Sequence, residues 1–415
     1  MTNQKALIFF FLFLLASRMA ASEAKQTMPE LLEETILKIM DVYDITGVSV
    51  ALVSGGELVW NQGFGWADSE EGTPMTGVTR CRVQSISKPV TAWGVMHLVE
   101  NGVVELDTPV AQYITSWSSE SPQWQDTTIR HLLTHQSGLP IGDVMDQYAP
   151  WANVPPVRDS LSREAQWDRN PGGAFAYSNP GYNLLEVLIE DVTGISFAQY
   201  MEETVLLPLG MVSASFNWSE DFDPPIPTGY NFQGDPVPVY VYPGRASGGL
   251  FATAEDVAHF LIAGMAKNPV LPESLVQTMY APEVEVSGIY GLISPSYGLG
   301  YFVESLQPGV RAVWHGGQGN GLMTHFHAIP ETGDALVVLT NSQRSWPFVG
   351  ALLRLWSDGL GVEAPGMSAI IRGEHLLRAL SVLLSFVILG ALLCIDVFGQ
   401  SARRNRRRAV FQLGV

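Results

Sequence analysis

Strand-forming runs lie at both ends of this 415-residue chain, and helical spacing fills the middle. Near the start, "GVSVALVSGGELVWNQGFGWAD" reads as two strands about a Gly55-Gly56 turn. In the last third, "SYGLGYFVES", "RAVWHGGQ", "LMTHFHAIPE" and "ALVVLTNSQ" read as successive antiparallel strands, and residues 347–360 as a closing helix. Between them the spacing predicts helices over about 85–100, 128–133, 179–192, 197–206 and 253–266, with another over 29–42 before the first strand. Thr253 followed by Asp256 is a capping-box start, Asn179 before Pro180 reads as an N-cap, and Gly194 closes that helix. Strands that open and close a chain bury their apolar faces most simply in one shared sheet. The expected class is therefore α+β: one discontinuous antiparallel sheet flanked by helices, with a helical subdomain inserted between its two halves.

The termini read differently from this body. Residues 1–24 hold Lys5, an apolar run and then small residues, the pattern of an export signal. Residues 376–395 are mostly apolar with one charge, Arg378, and are just long enough to span a bilayer. Five arginines follow between 403 and 408, which predicts a basic cytoplasmic tail over 396–415 and a main domain outside the membrane. The expected organisation is a signal peptide at 1–24, a domain at 25–361, a linker at 362–375, then the span and tail. The two cysteines, Cys81 and Cys394, fall in the domain and in the span, so this exported domain folds without a disulfide. Residues 25–371 carry 38 acidic against 14 basic side chains, which excludes nucleic acid as a natural partner.

Positive charge is scarce here, so Lys88 in "CRVQSISKPVTA" stands out. Pro89 is tolerated only in a first helical turn, so the helix starts near Ser85. Ser85 and Lys88 are then i and i+3 on one face. A desolvated lysine has a lowered pKa and can take a serine proton. Ser87 lies off that face. The alternative is a capping serine beside a surface lysine. In "AYSNPGY", Tyr177 is a candidate general base if a nearby cation lowers its pKa, or else a core aromatic. In "WHGGQGNG", Gly316 and Gly317 strip a strand edge of side chains, so a substrate backbone could lie there and the Gln318 N–H could face an oxyanion. His131 with His135, and His325 with His327, have metal-like spacing but lack a third ligand such as H-E-x-x-H supplies, and they read as structural. No metal or cofactor is expected.

S-x-x-K, then Y-x-N about 90 residues on, then a basic residue before Gly-Gly late on a strand resembles the serine β-lactamase and penicillin-binding protein superfamily, above all class C β-lactamases and their hydrolase relatives. "TIRHLLTHQSGLP", "GYNLLEVLIEDVTG" and "SGGLFATAEDVAHFL" add to the likeness. The resemblance implies a β-lactamase/transpeptidase-like fold. It makes Ser85 the nucleophile, Lys88 its activating partner and Tyr177 a general base. Asn179, His315 and Gly317 become substrate-binding residues, and the N–H groups of Ser85 and Gln318 the oxyanion hole. His315 stands where the family usually has lysine, and a neutral imidazole is the poorer carboxylate anchor. The implied activity is a membrane-tethered serine hydrolase acting through an acyl-enzyme on a D-amino-acid peptide, amide or ester, with β-lactams among the candidate ligands. The alternatives are a β-lactam-binding receptor, a weak class C-like β-lactamase, or an inactive binding protein.

Overall fold

The computed structural model describes residues 26–374, 376, 377 and 379–389. The first helix, α1 (Met28–Tyr43), starts with a full capping box between Thr27 and Glu30. It is followed by β1 (Gly47–Ser54), β2 (Glu57–Asp68), β3 (Thr73–Pro74) and β4 (Cys81–Arg82). The middle of the chain holds α2 (Ser87–Glu100), α3 (Ile129–Leu133), α4 (Val157–Glu164), α5 (Asn179–Thr193), β5 (Phe251–Ala252) and α6 (Ala254–Met265). The last third supplies β6 (Val284–Glu285), β7 (Ser296–Tyr297), β8 (Phe302–Gln307), β9 (Val310–Gly319), β10 (Leu322–Ile329), β11 (Asp334–Thr340) and α7 (Trp346–Leu360).

Nine strands form one antiparallel sheet in the order β3-β2-β1-β11-β10-β9-β8-β7-β6. The first and last strands of the domain therefore meet at its centre, with Val50 of β1 opposite Val338 of β11. Alternation along β1 explains why both faces are covered. Val48, Val50 and Leu52 pack with Leu32 and Ile36 of α1 and with Leu352 and Trp356 of α7. Ala51 and Val53 point the other way, into the core shared with α2, α5 and α6.

"SYGLGYFVES" is not one strand. It is split into β7 and β8 around Gly298 and Gly300. A Cβ on Gly300, whose φ is +95°, would lie 2.8 Å from Ala92 Cβ, so the break makes room for α2 against the sheet edge. The cap of α5 also differs from expectation. Ser178, not Asn179, is extended and accepts the Gly181 N–H on its hydroxyl. That leaves the Asn179 side chain free for other work.

The segment expected to be a signal peptide and the basic tail lie outside the described residues, as do 378 and 390–395 of the expected span. The described positions from 369 to 389 are helical, and Leu376, Leu383, Phe386 and Leu389 are exposed. Among the described residues no helix is long and apolar enough to cross a membrane. The stretch read as a linker includes a 3-10 turn, Gly366–Ser368, whose Met367 is buried with the α1/α7 core.

Candidate active site

The serine of S-x-x-K sits in a 3-10 turn, Gln84–Ile86, that leads directly into α2. Gln84 takes the left-handed conformation at φ +54°, a strained state for a residue with a side chain. The surroundings impose it. Thr324 of β10 donates to Val83 O at 2.7 Å, and Val83 N donates to Leu250 O at 2.8 Å. Ser87 Oγ donates to Gln84 O at 2.6 Å and accepts from Leu250 N at 3.0 Å. Ser87, the second serine of the motif, therefore holds the turn that presents Ser85.

Lys88 is fully buried. Its Nζ lies 3.2 Å from Ser85 Oγ, 2.8 Å from Asn179 Oδ1 and 2.7 Å from the carbonyl of Ser247. It also lies 4.7 Å above the Tyr177 ring. Among the described residues no carboxylate is paired with it, and burial pushes its pKa well below the ordinary 10.5. As an ammonium it donates to all three oxygens; once it has lost a proton, its two N–H donors match the two shorter contacts and its lone pair faces the serine hydroxyl.

Tyr177 behaves differently from the expectation of a cation-lowered phenol. Burial, followed by the neighbouring Tyr290, drives its pKa well above 10, and the hydrogen bond with Ser85 offsets this only in part. It is a neutral phenol at Ser85, stacked on Tyr290 at 5.4 Å and against His135 at 4.2 Å. His135 is buried at φ +58°, and its Nδ1 accepts the Ser178 N–H at 3.1 Å. Tyr290 and His135 have no signal in the sequence that links them to Tyr177.

His315 lines the same cleft, but it is closed off as a charged anchor. Its Nδ1 meets Gly316 O at 2.8 Å and its Nε2 meets Tyr297 Oη at 3.2 Å. Burial first, and then Lys88, push its pKa down to about 3. At neutral pH the imidazole is therefore uncharged, and it offers a substrate carboxylate no cation. The glycines after it also gain a second role. A Cβ on Gly317 would lie 2.3 Å from Thr324 Oγ1 and 2.4 Å from Val83 O. One on Gly319 would lie 2.2 Å from Gln84 Nε2. They let β9 approach the Ser85 turn. Beyond Trp314, β9 has run past the end of β8, so the stretch carrying Gln318 keeps one edge with no strand partner among the described residues.

The cleft encloses about 510 Å³, with Ser85, Tyr177, Asn179, His315 and Gln318 along it. Ile141, Val144, Met145 and Trp346 give it apolar walls, and Asp143, Asp146 and Glu164 lie on one side. Among the described residues that line it there is no Lys or Arg.

The remaining histidines have structural settings. His131 Nδ1 accepts the Thr128 N–H at the start of α3. His325 and His327 are fully buried, with Nε2 of one 3.4 Å from Nδ1 of the other. Among the described residues no group of His, Cys, Asp and Glu is placed to hold a metal ion.

Compared with known proteins, residues 32–358 match the Beta-lactamase family. Penicillin-binding protein 4* of Bacillus subtilis is 34% identical over 170 residues, which are 39% of this chain and 36% of that protein. Protein flp of Staphylococcus aureus is 25% identical over 330 residues, 77% of this chain and 64% of that one. The chain thus spans about a third of the first relative and under two thirds of the second. Among solved structures, the octameric penicillin-binding protein homologue from Pyrococcus abyssi superposes with a TM-score of 0.70 at 27% identity, covering 80% of this chain and 77% of that one.

Proposed function

The chain belongs to the Beta-lactamase family, a family of serine hydrolases, and on that footing we propose that it is a membrane-tethered, exported hydrolase that acylates Ser85. The observation that carries this reading is the buried Lys88, 3.2 Å from Ser85 Oγ and with its pKa held well below the ordinary 10.5 by burial. Lys88 takes the serine proton as Oγ attacks the substrate carbonyl carbon. The backbone N–H groups of Ser85 and Gln318 hold the resulting oxyanion. The Tyr177 phenol, hydrogen-bonded to Ser85, passes a proton to the leaving group and is restored from the Lys88 ammonium. Water then attacks the acyl-enzyme by the reverse route. Asn179 acts by holding Nζ in place.

The substrate is a D-amino-acid peptide, amide or ester. With carboxylates on one wall and no Lys or Arg in its lining, the cleft favours substrates that are uncharged near the scissile bond. β-Lactams, which carry a carboxylate there, are expected to acylate slowly. Tethering rests on the exposed apolar side chains between 376 and 389 and on the arginines that follow in the sequence. Export rests on residues 1–24.

The test is a panel of p-nitrophenyl esters, D-amino-acid amides, D-Ala-D-Ala peptides and penicillins, with intact-mass detection of the adduct. Ser85→Ala is expected to abolish the adduct and lower turnover by several orders of magnitude. An adduct on Ser87, or full labelling of Ser85→Ala, would remove the assignment.

A further inference from the structure

A second cavity, of about 360 Å³, lies beside the cleft and shares Tyr242 and Pro243 with it. Its lining inverts the cleft's charge. Arg82 and Arg245 are its only charged residues, among those described, in a chain of formal net charge −18. Arg82 comes from β4, three residues before Ser85, and is 1% exposed. Its Nε and Nη1 have no hydrogen-bond partner, which leaves three of its five N–H donors unmet. Its guanidinium instead lies 3.4 Å over the Tyr240 ring and 5.6 Å from that of Tyr242. A guanidinium does not deprotonate in a protein, and burying one without a counter-charge is costly. The second arginine is nearer the surface. Arg245 Nη1 meets Glu186 Oε1 at 3.5 Å, while Oε2 of that carboxylate accepts the backbone N–H groups of Arg245 and Ala246. Phe216, Trp218 and Phe251 form apolar walls.

We propose that this cavity is an anion-binding site, separate from the catalytic cleft, for a small carboxylate on a flat apolar body. Arg82 meets the carboxylate from below, Arg245 meets it from the rim, and the aromatic side chains cover the body of the ligand. The volume is that of a small-molecule site. Occupancy reaches the Ser85 turn by a short path. Tyr242 Oη donates to Gln84 Oε1 at 3.3 Å, and Gln84 Nε2 donates to Tyr240 Oη at 3.4 Å. Both tyrosines beside Arg82 are therefore bonded to the residue before the nucleophile.

Calorimetric titration of benzoate and of benzamide into the full-length protein at pH 7 tests the site, with thermal melts read in parallel. Benzoate is expected to bind saturably and raise Tm, and benzamide, its uncharged analogue, to bind at least about tenfold more weakly, the scale of one charge-assisted hydrogen bond. Arg82→Met removes the buried guanidinium and should abolish benzoate binding. Arg245→Gln and Trp218→Ala alter half-exposed rim positions, so they keep the test open if Arg82→Met does not fold, and each should weaken benzoate several-fold. Asp143→Lys, in the cleft, should leave benzoate binding unchanged. Equal binding of benzamide, undiminished binding in Arg245→Gln, or benzoate that binds more tightly to Asp143→Lys would each overturn the proposal; the last would place the anion in the cleft.

Discussion

Two neighbouring cavities share Tyr242 yet handle charge in opposite ways. At the cleft, burial holds Lys88, behind Ser85, well below its ordinary pKa and pushes His315 down to about 3, and the acidic side chains of the lining are Asp143, Asp146 and Glu164. The adjoining cavity is lined by arginines instead, a residue type whose guanidinium keeps its charge, and among the described residues no carboxylate lines its wall. Residue type explains the contrast. Burial lowers the pKa of an amine or imidazole and so favours its uncharged form, whereas a guanidinium stays charged and must be met by an anion. The same desolvation therefore makes a base in one place and an anion site in the other.

The largest effect is expected where the neutral amine is removed. Lys88→Met should lower kcat/KM for a neutral ester by about a thousandfold or more, as loss of a member of a catalytic unit does. Lys88→Arg should not rescue it, because a guanidinium remains charged and cannot accept the serine proton. Recovery of activity in Lys88→Arg would break the contrast between the two cavities. Next comes the fit of β9 to the turn. Gly317→Ala places a Cβ within 2.4 Å of Val83 O and must move the strand from the nucleophile. A fall of about a hundredfold in kcat, with KM little changed, is expected for a displacement near 1 Å. Wild-type kcat in this variant would show that the close approach has no catalytic part.

The smallest effect sharpens the charge argument. Asp143→Lys puts an exposed cation at the cleft. The ratio of kcat/KM for a carboxylate-bearing ester to that for its neutral methyl ester should rise about two- to fivefold, the scale of an exposed charge pair. The rise should fade in high salt. A ratio unmoved at low salt would mean that cleft charge has no part in selecting substrates.

Much of this arrangement was legible in the sequence. S-x-x-K placed Ser85 and Lys88 on one face, the Thr253–Asp256 spacing gave the cap of α6, and the strands at both chain ends join in one sheet. What was not legible depends on burial and on distant partners. Asn179 looked like a cap because Asn before Pro is a good one, yet Ser178 has the extended backbone and Asn179 turns to Lys88. The setting of His315 was not legible because the groups that close it in, Tyr297 and Lys88, come from elsewhere in the chain. Ser87 looked idle because its partners, Gln84 O and Leu250 N, appear only once β4 and β5 pair. Arg82 carried no signal, since its lack of a partner is a property of the folded wall.

The protonation state of Lys88 is the central claim, and the pH dependence of Ser85 acylation by a neutral ester measures it most directly. Only the neutral amine can accept the serine proton, so kcat/KM should rise with pH along the Lys88 titration and then level off. Because burial lowers that pKa, the plateau should arrive well short of the ordinary lysine value of 10.5. Neither His315, already neutral, nor Tyr177, raised well above 10, should add a falling limb through neutrality. A rate that keeps climbing into the ordinary lysine range would contradict the account, because Lys88 would then be a cation at pH 7 and the cleft would not be free of positive charge.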